Sequence, residues 1–204
     1  MADTYRVLKS TFRAEIKVKG SRFIARAVPV RSPESVQFAL DTIRREDRDA
    51  RHHCTAYRLG PSGDDFRFND DGEPSGTAGR PIFRQIEGHD LTNTLVVVTR
   101  YFGGTKLGTG GLIRAYSDAA REALDHAPVD VIVRRKPVSV KFAYADTSPA
   151  MHTISRFDAE ILETEYGEET RIELGVRYSE APGFIEAFEN ALSGRCQIDI
   201  DGQR

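Results

Sequence analysis

The chain has 204 residues, 39% of them hydrophobic and 29% charged, with a formal net charge of −2. A chain this long buries roughly 70% of its unfolded surface and needs no metal or disulfide staple, and its composition excludes disordered and collagen-like polymers. Cys54 and Cys196 form no disulfide framework or zinc-ligand pattern, no apolar run reaches the ~20 residues of a membrane span, and Met1–Arg6 lacks the layout of a secretory signal, so a cytoplasmic location is expected.

Alternation predicts strands at 5–9, 13–18 and 21–28, with Gly20 at a tight turn. Ser32-Pro33 opens a helix whose apolar stripe is Val36, Ala39, Leu40 and Ile43. Residues 52–59 and 65–69 read as short strands, and Leu95–Val98 as a buried one. A helix with the stripe Leu112, Ala115, Tyr116, Ala119, Ala120 and Ala123 then runs to about His126. A break is expected at Ala127-Pro128, since proline disfavours helix in the residue before it. Charge changes sign there: residues 1–128 hold 20 Lys/Arg and 17 Asp/Glu, residues 129–204 hold 9 and 14. The expected domains are 1–128 and 137–204.

In the second, Val138, Val140, Phe142 and Tyr144 mark a strand, and Ser148-Pro149 an N-cap and first-turn proline. A strand at 159–166 turns at Gly167 into the alternation Ile172, Leu174, Val176, Tyr178. Phe184, Ala187, Phe188 and Ala191 set a helix, and Cys196, Ile198 and Ile200 a last strand. The order is βαββαβ, the ferredoxin-like pattern. The fold class is therefore α+β in two domains.

Three stretches carry chemistry. Asn69–Pro81 holds Asp70, Asp71 and Glu73 together with three glycines, and reads as a loop with solvated acids or, alternatively, as a Mg²⁺ and phosphate site. Arg100–Arg114 follows a buried strand, is rich in glycine, opens a helix, and contains three cations and no acid. Such a junction presents free N–H groups and the positive helix end to an anion. It is not a Walker loop, because no Lys-Ser/Thr pair closes the glycine run. The competing reading is a tight turn with Tyr101 or Phe102 in the core. In His52-His53-Cys54 a thiol shares a strand face with an imidazole, but without a third orienting group core packing is the better reading. Arg44, Arg45, Arg48 and Arg51 alternate with Glu46, Asp47 and Asp49, which reads as a solvated face.

Lys19–Ala25, His52–Tyr57, Asp70–Pro81 and Val97–Leu112 together resemble the YigZ/IMPACT family. The resemblance implies a first domain with the fold of the second domain of a small-subunit ribosomal protein, and a ferredoxin-like second domain. It implies company with translation, which eukaryotic relatives regulate under amino-acid stress, and it brings no catalytic residues or cofactor. The expectation is a non-enzymatic regulator that binds RNA or the ribosome. Its phosphate or nucleic-acid contacts would come from Arg80, Arg100, Tyr101, Phe102, Gly103, Gly104, Lys106, Thr109, Gly110, Gly111 and Arg114, with Arg84 alongside. The acidic second domain is expected to meet a protein partner. The alternatives are a Mg²⁺-dependent enzyme acting on a nucleotide or phosphorylated metabolite, and a protein-interaction module.

Overall fold

The computed structural model describes residues 3–200. The chain divides into two compact units, Tyr5–Ile132 and a second that starts at Val133 and takes in Thr4. Strands β1 (Thr4–Leu8) and β7 (Val129–Val133) pair in a ribbon of their own.

The body of the first unit is a five-stranded sheet built from β2 (Phe12–Val18), β3 (Ser21–Pro29), β4 (His52–Leu59), β5 (Asp65–Asn69) and β6 (Thr94–Tyr101). Its order is β2-β3-β6-β4-β5, with every neighbouring pair antiparallel. The central strand β6 is covered on both faces, which is why it reads as an unbroken apolar run rather than an alternation. Leu95 and Val97 pack towards α1 (Pro33–Glu46), whereas Val96 and Val98 pack towards α2 (Gly79–Gly88) and α3 (Gly108–His126). Each such buried side chain contributes about 1.5–3 kcal/mol. Helix α1 starts on a reciprocal cap in which Ser32 accepts from Ser35 N and Ser35 accepts from Ser32 N; caps of this kind contribute about 1 kcal/mol.

Helix α2 departs from the sequence expectation, which placed none at 79–88. Its interior holds Pro81, and its N-terminus is capped from a distance, by Asp70 rather than by an adjacent Ser or Thr. Nothing local marks the start.

Chain direction places the ends of these elements. Strands β5 and β6 are both antiparallel to β4, so they run the same way, and α2 and α3 return from the end at which both strands finish. At that end β3 and β4 begin, since Arg22 pairs with Tyr101 and His52 with Arg100. The β2–β3 hairpin turns there through Lys19 and Gly20, and α1 delivers the chain into β4 there. The four motif stretches of the sequence therefore meet at one end of one sheet.

The second unit is a four-stranded antiparallel sheet in the order β11-β8-β10-β9, from β8 (Arg135–Ala143), β9 (Ala159–Tyr166), β10 (Glu169–Arg177) and β11 (Cys196–Ile200). Helices α4 (Thr147–Arg156) and α5 (Ala181–Ala191) share with it a core around Val138, Val140, Phe142, Phe184 and Phe188. This is the ferredoxin-like order read from the βαββαβ pattern. One detail differs. Helix α4 starts at Thr147 after a 3-10 turn at Tyr144–Asp146, so Ser148 lies inside the helix and is not its cap.

Candidate nucleic-acid interface

The loop after β5 folds around its own acids. Asp70 Oδ1 accepts from Ala78 N at 2.9 Å and Gly79 N at 2.8 Å, and Oδ2 accepts from Gly76 N at 2.8 Å. One carboxylate thus closes the loop and neutralises the positive end of α2. Asp71 Oδ2 accepts from His53 N at 2.7 Å, while Arg44 Nη2 lies 3.3 Å from Asp71 Oδ1. Glu73 reaches inward: Arg100 Nη1 and the Tyr116 hydroxyl both donate to its Oε1, at 2.6 and 2.8 Å. The three carboxylates are therefore directed to three different sets of protein donors. The Mg²⁺ arrangement read as an alternative loses its ligands to the fold.

That pairing also corrects the reading of Arg100 as a free phosphate ligand. The Arg100 and Glu73 side chains are 8% and 4% exposed, so a cation that sequence leaves unpaired is held by an acid 27 positions upstream. The Arg100 guanidinium sits 5.5 Å from the Phe23 ring centre and 5.6 Å from that of Phe102, distances at which cation–π attraction operates. Its Nε is buried without a hydrogen-bond partner among the described residues.

Cys54 packs in the core beneath this cluster and donates to the Asp70 carbonyl at 3.0 Å. Burial pushes its pKa up to about 12, so it is a thiol and not a nucleophile. His52 shares its strand face, as expected, but the His52 ring pairs through Nδ1 with the Asp71 carbonyl at 2.8 Å. Burial, and then the neighbouring Cys54 and Glu73, raise the pKa of Tyr116, which stays a phenol.

The second glycine-rich stretch is organised differently. Tyr101 donates to Asp47 Oδ1 at 3.0 Å, and Arg22 lies 5.2 Å over its ring. Its position is thus fixed by the fold, whereas Phe102 leaves its ring 59% exposed. Gly103 runs against the β2–β3 hairpin: a Cβ there would come within 1.9 Å of the Gly20 carbonyl carbon, and Gly103 N donates to Ser21 Oγ at 3.1 Å. Gly104 turns with a φ of +86°, a region open to glycine. Lys106 and Thr109 are exposed, as is Gly110, while Gly111 is half-buried against Leu107. Helix α3 begins without a side-chain cap and without an acid in its first turn, which leaves the leading N–H groups and the positive helix end unneutralised. Arg114 on α3 and Arg80 and Arg84 on α2 are exposed, and with Lys106 they make no ion pair among the described residues. The Gln85 amide donates to Ser117 Oγ at 2.8 Å, so the two helices lie side by side.

Residues 19–124 match the Impact N-terminal domain and residues 140–195 a domain of unknown function, DUF1949. This chain belongs to the IMPACT family. It is 34% identical over 205 residues to the IMPACT family member YvyE of Bacillus subtilis, covering 97% of this chain and 91% of that one. The IMPACT family member YigZ of Escherichia coli is 33% identical over 152 residues, 74% of each chain. A solved structure described as a hypothetical protein aligns over the whole of both chains with a TM-score of 0.70 and 26% identity. Almost the whole of the motif end falls within the span matched to the IMPACT N-terminal domain.

The second domain offers a different surface. The open face of its sheet carries Arg135, Lys141, Arg171 and Arg177 against Glu160, Glu163, Glu165, Glu173 and Asp199, with no aromatic ring among the described residues. Its arginines are held within the domain, Arg135 by Asp158 and Glu160, Arg171 by Glu173 and Arg177 by Asp158.

Three groups escaped the sequence reading. Tyr116 and Phe23 looked only like core residues, and the run Arg45, Arg48, Arg51 looked neutralised by neighbouring acids. Only the pairing of Glu46 and Asp47 with Arg26 reveals it, and no sequence signal does.

Proposed function

We propose that this protein binds RNA through the motif end of its first unit and acts as a regulator in translation, by binding and not by catalysis. The observation that carries the reading is the convergence of four separated stretches on one end of a sheet, where the exposed groups are cations, an aromatic ring and an uncapped helix start. The engaged carboxylates and the inert Cys54 thiol favour binding over chemistry. Family membership adds the translational setting.

Lys106, Arg114 and Arg80 are the expected phosphate contacts, with Arg84 on the same helix as Arg80. Three contacts to a single strand correspond to a salt slope of about −2, since each released counterion contributes about 0.7. The test is co-sedimentation with ribosomes and with bulk RNA over a salt series, beside a Lys106→Ala/Arg114→Ala variant whose melting curve matches the parent. Salt-sensitive binding that the variant loses supports the reading. No binding by the parent protein overturns it.

A further inference from the structure

Arg44, Arg45, Arg48 and Arg51 are interrupted in sequence by Glu46, Asp47 and Asp49. The fold removes part of that neutralisation. Asp47 meets Arg26 Nη1 of β3 at 2.5 Å and also accepts from Tyr101, and Glu46 lies 3.5 Å from Arg26 Nη2. Of the arginines, Arg44 is occupied by Asp71. Arg45, Arg48 and Arg51 stay exposed and make no ion pair among the described residues. Asp47 is thus turned to the sheet, while Glu46 and Asp49 stay exposed beside the three arginines.

Of these cations Arg51 lines a cleft of about 400 Å³, whose walls are Asp49, Ala50, Arg51 and His52 on one side and Arg100, Tyr101 and Phe102 on the other; Arg45 and Arg48 lie together with Arg44 on a neighbouring stretch of surface. That volume lies within the roughly 300–1,000 Å³ of small-ligand sites. Phe102 offers a π-face and Asp49 an acceptor. His52 holds the Asp71 carbonyl through Nδ1, so in its neutral ring Nε2 is left as an acceptor. The buried Arg100, whose Nε has no partner among the described residues, forms part of the wall. A π-face beside acceptors, with the exposed Arg51 in the wall, suits a flat ring bearing N–H donors and attached to a phosphate chain. A duplex keeps its rings stacked and paired; a single strand does not.

We infer that this cleft takes one unpaired base of an RNA strand, and that Arg45, Arg48 and Arg51 carry the adjoining phosphates across the end of α1. The inference rests on the RNA reading of the same end and deepens it: the ligand is single-stranded, and its path includes an arginine face outside the glycine-rich junction.

The test uses short single-stranded RNAs carrying 2-aminopurine at successive positions, the matching duplexes, and free adenosine monophosphate. The full chain is compared with Phe102→Ala and with Arg48→Ala/Arg51→Ala, all checked by thermal melting. The expected result is tighter binding of the single strand than of the duplex, with 2-aminopurine fluorescence quenched on binding. Phe102→Ala abolishes the quench and weakens binding about tenfold, the scale of one base–aromatic stack. The arginine pair reduces the salt slope by about 1.4. Single-strand binding with no quench and no effect of Phe102→Ala overturns the inference and leaves the RNA reading standing. Equal affinity for the duplex, or for the free mononucleotide, overturns it as well. If no RNA binds at all, both readings fail together.

Discussion

The loop that follows β5 and the loop that follows β6 leave the sheet at the same end, and both are rich in glycine, yet they use their polar groups in opposite ways. The first turns Asp70, Asp71 and Glu73 inward onto backbone N–H groups, Arg44, Arg100 and Tyr116. The second holds Phe102, Lys106 and Thr109 outward and leaves the start of α3 uncapped. A dense run of charges can thus be wholly structural, while a sparser one beside it remains available. The difference lies in whether the fold has already supplied a partner.

Substitutions at the two loops separate these roles. The largest stability loss is expected for Glu73→Ala, which strands the Arg100 guanidinium in the core; breaking a buried pair from one side costs about 3–5 kcal/mol, read as a fall in the denaturation midpoint. Asp70→Ala removes the acceptor for three N–H groups and is expected to cost about 1–3 kcal/mol, with Asp70→Asn intermediate because one oxygen is kept. Lys106→Ala and Arg114→Ala should leave stability within about 0.5 kcal/mol, while RNA affinity falls and the salt slope shrinks. If these alanines melt early, or Glu73→Ala melts normally, the contrast between the loops is wrong.

The smallest effect is one of pH. Burial depresses the pKa of His53, which sits among Asp71, Arg44, Asp47 and Arg26 and pairs through Nδ1 with Thr99 Oγ1 at 3.1 Å. A depressed pKa means that the unfolded chain takes up the proton first. The contribution to stability is therefore complete above the unfolded histidine value of about 6.5 and is lost as pH falls through the lower folded value. Denaturant unfolding of the parent between pH 7 and 5 should show this loss, and His53→Gln should flatten it.

Periodicity made much of the fold legible. The strands of both sheets and the stripes of α1, α3 and α5 follow from side chains that must face a core every second or every third to fourth residue. Helix α2 did not show, because its capping group lies eight positions before its first turn. The candidate site was half legible for a related reason. Phe102, Lys106 and Arg114 lie where glycine and charge announced them, but the state of Arg100 depends on Glu73, and the availability of Arg45 and Arg48 depends on Arg26 drawing off Glu46 and Asp47 between them. Local pattern reports what a segment can face. Long-range pairing decides what its charges are left to do.

The position of β6 has a consequence for how the chain is made. It lies between β3 and β4, but it is translated after both of them and after β5. Until Thr94–Tyr101 has emerged, the β2–β3 and β4–β5 hairpins have no common partner, and each exposes an unpaired edge and an apolar face. A nascent chain halted before Thr94 is therefore two separate ribbons and two helices in need of shelter. Release of those eight residues gives the two hairpins their common partner and closes the order of the sheet, and α3 then covers its face.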